Sequence, residues 1–152
     1  MAEYGATSQT INPGESAIFQ IVDPCRRGFV RFRNLTGSFL LRGWLPNFMN
    51  GCPCRKEEAR YLVDFSGNIA IPEGGTVGEI SVALSVDGAT VPYSTMRVTP
   101  AAVEEFFNVA MSIEVPVWRG CCETVKLTNT SNQPITLEGV IRITRPDLGM
   151  TY

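Results

Sequence analysis

From Tyr61 to Pro146 apolar residues recur at every second position, in runs cut apart by turn residues. Ile80, Val82, Leu84 and Val86 alternate with Ser81, Ala83 and Ser85, and Asp87-Gly88 then separates them from Val91. Val109, Met111, Ile113, Val115 and Val117 alternate with Ala110, Ser112, Glu114 and Pro116. Ile135, Leu137, Ile141 and Ile143 alternate with Thr136, Glu138, Arg142 and Thr144. Side chains of a strand point alternately to its two faces, so each run has one apolar face and one of small or polar residues. An apolar sheet face must be covered, and two stacked sheets cover each other. The expected fold is therefore all-β, a two-layer sandwich.

Turn chemistry divides the chain further. Residues 1–14 are mostly polar and end in the turn signal Asn12-Pro13-Gly14, so they read as an N-terminal arm. Ala17 to Val22 reads as a strand apolar on both faces, closed by Asp23-Pro24. Phe29–Asn34 and Ser38–Arg42 form a hairpin around Leu35-Thr36-Gly37, and Trp44 to Arg55 reads as a loop. Residues 15–60 are thus a hairpin and a Cys/Pro loop within the same sandwich, 61–146 its core, and 147–152 a tail. Tyr61, Val63 and Phe65 start a strand that Ser66-Gly67-Asn68 is expected to end. Asp87-Gly88 supplies the positive φ angles of a type I′ hairpin turn. Pro100 to Glu105 fits a short helical turn with Thr99 as its N-cap.

Composition removes several classes of function. The chain has no histidine, and with it go the commonest general base, the usual triad base and the commonest zinc ligand. An enzyme is not expected. A net charge of −2 with 18% charged residues gives no footprint for nucleic acid. No run is long and apolar enough to span a bilayer. The start Met1-Ala2-Glu3-Tyr4-Gly5 lacks the basic and apolar segments of a secretion signal, so the expectation is synthesis in a cytoplasm, with lysis as a way out. With 152 residues the chain buries roughly 70% of its unfolded surface and needs neither a disulfide nor a metal to fold.

The bland strand faces point to assembly. Opposite the large apolar residues stand Ser81, Ala83 and Ser85 in one strand, and Ala110 and Ser112 in another. A solvent face ordinarily carries more Lys, Glu and Arg, whereas small uncharged residues suit close packing against a second subunit.

Three segments carry a family resemblance. Gly78 to Pro92, Met111 to Pro116, and Cys122 to Thr130 with Ile135 to Arg145 resemble the central hairpin, the next core strand and the closing pair of trimeric jelly-roll domains of the tumour-necrosis-factor and complement-C1q type. The likeness is to the bacterial versions that cap collagen-like spore filaments. With Asn68–Pro72 and Arg97–Val109 the chain also resembles small uncharacterised phage proteins of gram-positive hosts. The 152 residues contain no Gly-X-Y run of the kind that forms the stalk of the spore-filament members. The resemblance implies a jelly-roll β-sandwich and a homotrimer. On that basis the expected role is a non-enzymatic virion protein, a phage head-decoration or fibre-like component on the particle surface. The subunit contact would use Ser81, Ala83, Ser85, Ala110 and Ser112. Residues 1–14 with Arg31 and Arg33 would grip another virion protein.

Other residues leave alternatives open. Cys52-Pro53-Cys54 and Cys121-Cys122, with Cys25, can be read three ways: buried thiols acting as small hydrophobes, one or more disulfides, or a structural zinc site in a Cys-dependent metal-binding protein. No cofactor other than that zinc is expected. Trp44, Trp118 and Tyr93 would form the platform of a glycan- or receptor-binding adhesin module. Glu57-Glu58 and Glu104-Glu105 resemble the carboxylate pairs of glycoside hydrolysis, but adjacent residues on a strand point apart.

Overall fold

The computed structural model describes residues 2–23, 28–33, 35–45 and 58–148. These form eleven strands: β1 (Ala2–Ile11), β2 (Gln20–Asp23), β3 (Val30–Arg33), β4 (Ser38–Arg42), β5 (Glu58–Ala70), β6 (Ile80–Val86), β7 (Ala89–Thr90), β8 (Met96–Val98), β9 (Phe107–Trp118), β10 (Cys122–Asn129) and β11 (Ile135–Thr144). The first sheet runs β2-β1-β11-β5-β9; the second runs β3-β4-β10-β6-β7, with β8 also on β6. Every pairing is antiparallel. The alternation in the sequence is the alternation of burial: Val109, Ile113, Val115 and Val117 are buried while Ala110, Ser112, Glu114 and Pro116 face outward. One cluster joins the inner faces of both sheets, with Tyr4, Phe19, Phe39, Phe65, Leu84 and Leu127 among its largest members.

Several turns follow their residues. Asp87 and Gly88 have φ of 50° and 82°, as a type I′ turn requires. Leu35-Thr36-Gly37 joins β3 to β4, and only glycine fits there: φ is 66° and an added Cβ would lie 2.2 Å from the Ala17 carbonyl oxygen.

Residues 2–11 are not a free arm. They form β1, paired along its length with β11 and on its other side with β2. Ala2, Tyr4, Ala6 and Ile11 alternate into the core, a short period-two signal hidden among polar neighbours. After β1 the chain runs beside β10, with bonds from Gly14 N to Asn129 O and from Ala17 N to Leu127 O, and then joins the first sheet as β2.

Ser66-Gly67-Asn68 does not turn. β5 continues through it to Ala70 because Gly67 lies opposite Gly139 of β11. A Cβ on Gly67 would meet the Phe65 ring at 2.7 Å and the Glu138 carbonyl oxygen at 2.3 Å. The two glycines make room for that ring, so the residue that reads as a turn is a packing device. Residues 101–104 form bends and turns rather than a helix, with Glu104 at φ 58° and the Glu105 carboxylate accepting from the Ala101 and Ala102 amides.

Candidate functional site

The outer face of the first sheet is built from register rows. Val140 of β11 lies beside Gly5 of β1 and Ser66 of β5, and Ser66 lies beside Ala110 of β9. Gly5, Val140, Ser66 and Ala110 thus form one uncharged row across four strands. On one side lie Glu3, Arg142, Asp64 and Ser112, with Arg142 Nε donating to Glu3 at 3.1 Å. On the other lie Glu138, Asn68 and Asn108, where Asn68 donates to Glu138 and Asn108 to Asn68, each at 3.3 Å. Further along, Arg60 pairs with both Glu58 and Glu114, exposed contacts worth little in stability. β9 forms the border of this sheet, and its second edge has no strand partner among the described residues. Edge strands in natural proteins are commonly short or carry charge and proline. β9 is twelve residues long with one charge, Glu114, and one proline, Pro116.

This geometry divides the five small residues expected at a subunit contact. Ala110 and Ser112 are exposed on the first sheet, whereas Ser81, Ala83 and Ser85 belong to β6 on the opposite side of the sandwich. Ala83 is 0% and Ser85 4% exposed. Ser85 Oγ donates to Thr128 Oγ1 at 3.0 Å, and Thr128 bonds Ser16 at 3.3 Å. At Ala83 and Ser85 the bland face of β6 is therefore closed within the chain, while Ser81 is half-buried and bonds Thr130 Oγ1 at 2.7 Å. Strand alternation alone does not distinguish a face covered by its own chain from one left open. Arg31 and Arg33 are exposed on β3, the border strand of the second sheet.

The cysteines and tryptophans lie at one end. Gly43 N donates to Cys121 O at 2.8 Å and Gly120 N to Gly43 O at 3.0 Å, so the Trp44 and Trp118 segments meet. Cys121 and Cys122 are free and exposed, against the expectation of buried thiols for these two. Cys25, Cys52 and Cys54 lie outside the described residues, and no group of three or more metal-ligating side chains gathers among the described ones. Of the three aromatic residues expected in a platform, Trp44 stacks on Phe29 at 5.1 Å, Trp118 is exposed on the first sheet's outer face, and Tyr93 is exposed on the short turn between β7 and β8.

The same end holds a buried ion pair. Arg145 is 2% exposed; its Nε and Nη2 donate to the two carboxylate oxygens of Asp147, both at 2.9 Å, and Nη1 donates to Trp44 O at 3.1 Å. Its guanidinium lies 5.2 Å from the Phe29 ring centre and 4.8 Å from that of Tyr61. Burial works against the charge, but the bonds and charge of Asp147 outweigh it, and the arginine is held above its ordinary pKa. Tyr61 OH donates toward the carbonyls of Phe29 and Arg42. Beyond the β6–β7 turn, Glu123 shares a hydrogen bond with Asp87. That bond, followed by burial and the neighbouring charge, raises the Glu123 pKa to about 7. Asp87 is lowered by the same bond and by the Thr124 amide, which donates to it at 2.8 Å.

The chain matches no protein-family model, and no curated protein matches it in sequence. Its backbone superposes on the Eiger TNF of S. frugiperda with a TM-score of 0.62 at 10% identity, covering 95% of this chain and 90% of that one. It superposes on the globular domain of zebrafish complement 1qA with a TM-score of 0.55 at 10% identity, covering 95% and 97%. The fold is a TNF/C1q-type jelly roll. At such identities the likeness shows the fold alone, and it fits the jelly-roll architecture that the strand pattern and the family resemblance imply. Within this jelly roll, sequence reasoning passed over Asp147, set aside as part of the tail, and Gly5, Ser66 and Val140. The spacing of Arg145 and Asp147 around Pro146 was the available signal for the first. The others become a row only through the register.

Proposed function

We propose that this chain is a non-enzymatic structural module that assembles as a homotrimer through the outer face of its first sheet. We further propose that the trimer is a virion protein, a phage head-decoration or fibre-like component exposed on the particle. The observation that carries the assembly is the uncharged row Gly5–Val140–Ser66–Ala110, ending at the long edge of β9 that has no strand partner among the described residues. An unpaired, weakly charged edge invites another chain, and a closed oligomer uses that tendency without open-ended growth. The TNF/C1q-type fold supports the same reading, as the resemblance in the sequence implies three copies. Ala110 and Ser112 remain in the subunit contact, whereas Ser81, Ala83 and Ser85 are withdrawn from it. Arg31 and Arg33, on the opposite border, serve the contact with another virion protein.

Hydrogen exchange tests the assembly. β2 and β9 are the two border strands of the same sheet. Among amides not bonded within the chain, those of β9 should exchange slowly and those of β2 fast; equal, fast exchange on both borders would overturn the proposal. For the particle, mass spectrometry of purified virions should find this chain in the intact shell or fibre, and its absence there would remove the virion role.

A further inference from the structure

At the end of the sandwich away from Trp44 and Trp118, the β5–β6 and β10–β11 connections enclose an open cleft of about 630 Å³. We propose that this cleft is a binding site for a neutral oligosaccharide. The inference does not rest on the assembly described above.

Three features of the cleft carry it. First, its walls are fixed before any ligand arrives. The Gln133 side chain accepts from Thr76 N at 2.9 Å and donates to Thr76 O at 2.7 Å, clasping one connection to the other. Ser131 Oγ accepts from Ser81 N at 2.7 Å and donates to Ser81 O at 3.0 Å. Beneath them, the buried Asn129 side chain donates to Ile11 O and Gln133 O and accepts from Ser131 N. A site held this way loses little entropy on binding.

Second, the lining selects a ligand class by elimination. Hydroxyl, carboxamide and backbone groups dominate it, Val77 is its one large apolar side chain, and no aromatic residue lines it. A flat apolar ligand would find nothing to stack on. No Lys or Arg lines it either; its only charged side chain is Glu79, and the Arg97 guanidinium near it lies outside the lining at 3.9 Å, so a phosphate or other anion in the cleft would meet a carboxylate first. A ligand dense in neutral hydroxyl groups matches what remains: carboxylates and amides bond hydroxyl pairs, and each hydroxyl can donate and accept.

Third, the groups that could serve such a ligand are not used by the fold. The Asn132 carboxamide and the Thr76 hydroxyl have no partner within the described chain, and Glu79 has only an exposed contact with Arg97 at 3.9 Å. The structural hydrogen bonds of the cleft fall to Gln133, Ser131 and Asn129, while Thr76, Glu79 and Asn132 are exposed members of its lining. The volume lies within the range of small-ligand sites.

The test is titration of the isotope-labelled full chain with chitotriose, cellotriose, maltotriose and xylotriose, with inorganic phosphate as contrast, followed through backbone amide resonances. At least one sugar should shift the amides of Val77, Gly78, Thr130 and Asn132 saturably, and phosphate should not. Asn132→Ala, which removes no hydrogen bond of the fold, and Glu79→Gln, which gives up only the exposed contact with Arg97, should each weaken that binding about tenfold, the loss expected for one well-placed hydrogen bond to a polyol. No saturable shift with any of the four sugars would overturn the proposal. So would shifts centred on Trp44 and Trp118, a response to phosphate alone, or binding unchanged in both variants. The mass of the assembly is read separately, so either proposal can fail while the other stands.

Discussion

Arg145→Met should cost this protein about 3–5 kcal/mol of folding stability, the range for breaking a buried ion pair by removing one partner. The substitution removes two charge-assisted bonds to Asp147 and one to the Trp44 carbonyl. It also removes the cation held beside the rings of Phe29 and Tyr61. Each hydrogen bond to a charged group contributes about 1.5–3 kcal/mol, and each ring contact about 0.5–2 kcal/mol. Methionine recovers part of this by filling the space between the rings. The larger loss is at Asp147, whose side chain is 7% exposed and keeps its charge without its cation. For a domain of this size such a change lowers the melting temperature by roughly 10 °C. Urea unfolding followed by tryptophan fluorescence reads the result, because Trp44 stacks on Phe29 at this site. The midpoint should fall with the slope unchanged. Arg145→Met with Asp147→Leu should recover at least half of the loss, since no charge is then left buried. A single-variant loss below about 1 kcal/mol, or no recovery in the double variant, would refute the reasoning.

Glu123 gives the fold a pH dependence of fixed sign. Its folded pKa of about 7 lies above its ordinary 4.5, so the folded chain holds a proton that the unfolded chain releases. The stabilisation is complete below the ordinary value and is lost as pH rises through about 7; after discounting for its exposure to solvent it amounts to about 1 kcal/mol or less. Denaturation midpoints across this range should fall toward pH 8 in the natural chain and stay level in Glu123→Gln. Asp87, with a lowered pKa, acts in the opposite sense: its stabilisation is present above its ordinary value and lost as pH falls through the lowered one. Gly67→Ala should destabilise by about 1–3 kcal/mol through overpacking against Phe65 and the Glu138 carbonyl, measured by calorimetry. Ser94→Ala should cost a similar ~1–3 kcal/mol, because the buried Ser94 hydroxyl accepts from Leu84 N and bridges to the Val91 carbonyl, filling the gap in pairing between β7 and β8.

The strands and the sandwich were legible because burial on one face imposes a period of two, and Asp87-Gly88 was legible because few residue pairs accept two positive φ angles. β1 was not read as a strand because only Ala2, Tyr4, Ala6 and Ile11 turn inward, among residues that look like a polar arm. Gly67 was misleading for a physical reason: one residue type serves both a tight turn and a close packing site, and only the partner Gly139, seventy-two residues away in the chain, tells them apart. The bland faces of β6 and β9 look alike in sequence. Ser85 bonds to Thr128 and is covered, while Ala110 borders Ser66 and is left open, a difference set by which strands lie beside them. The cleft was invisible for the same reason, since Thr76 and Gln133 meet only after β6 and β10 pair.

Native mass spectrometry of the intact chain and of Ala110→Arg, both at micromolar concentration, puts the subunit contact to a direct trial. The natural chain should give a species of three times 16.7 kDa, and the variant single copies, because its guanidinium would stand at the β9 end of the uncharged row, beside the open edge. A natural chain found only at 16.7 kDa, or a variant that assembles as well as its parent, would contradict a trimer built on this face.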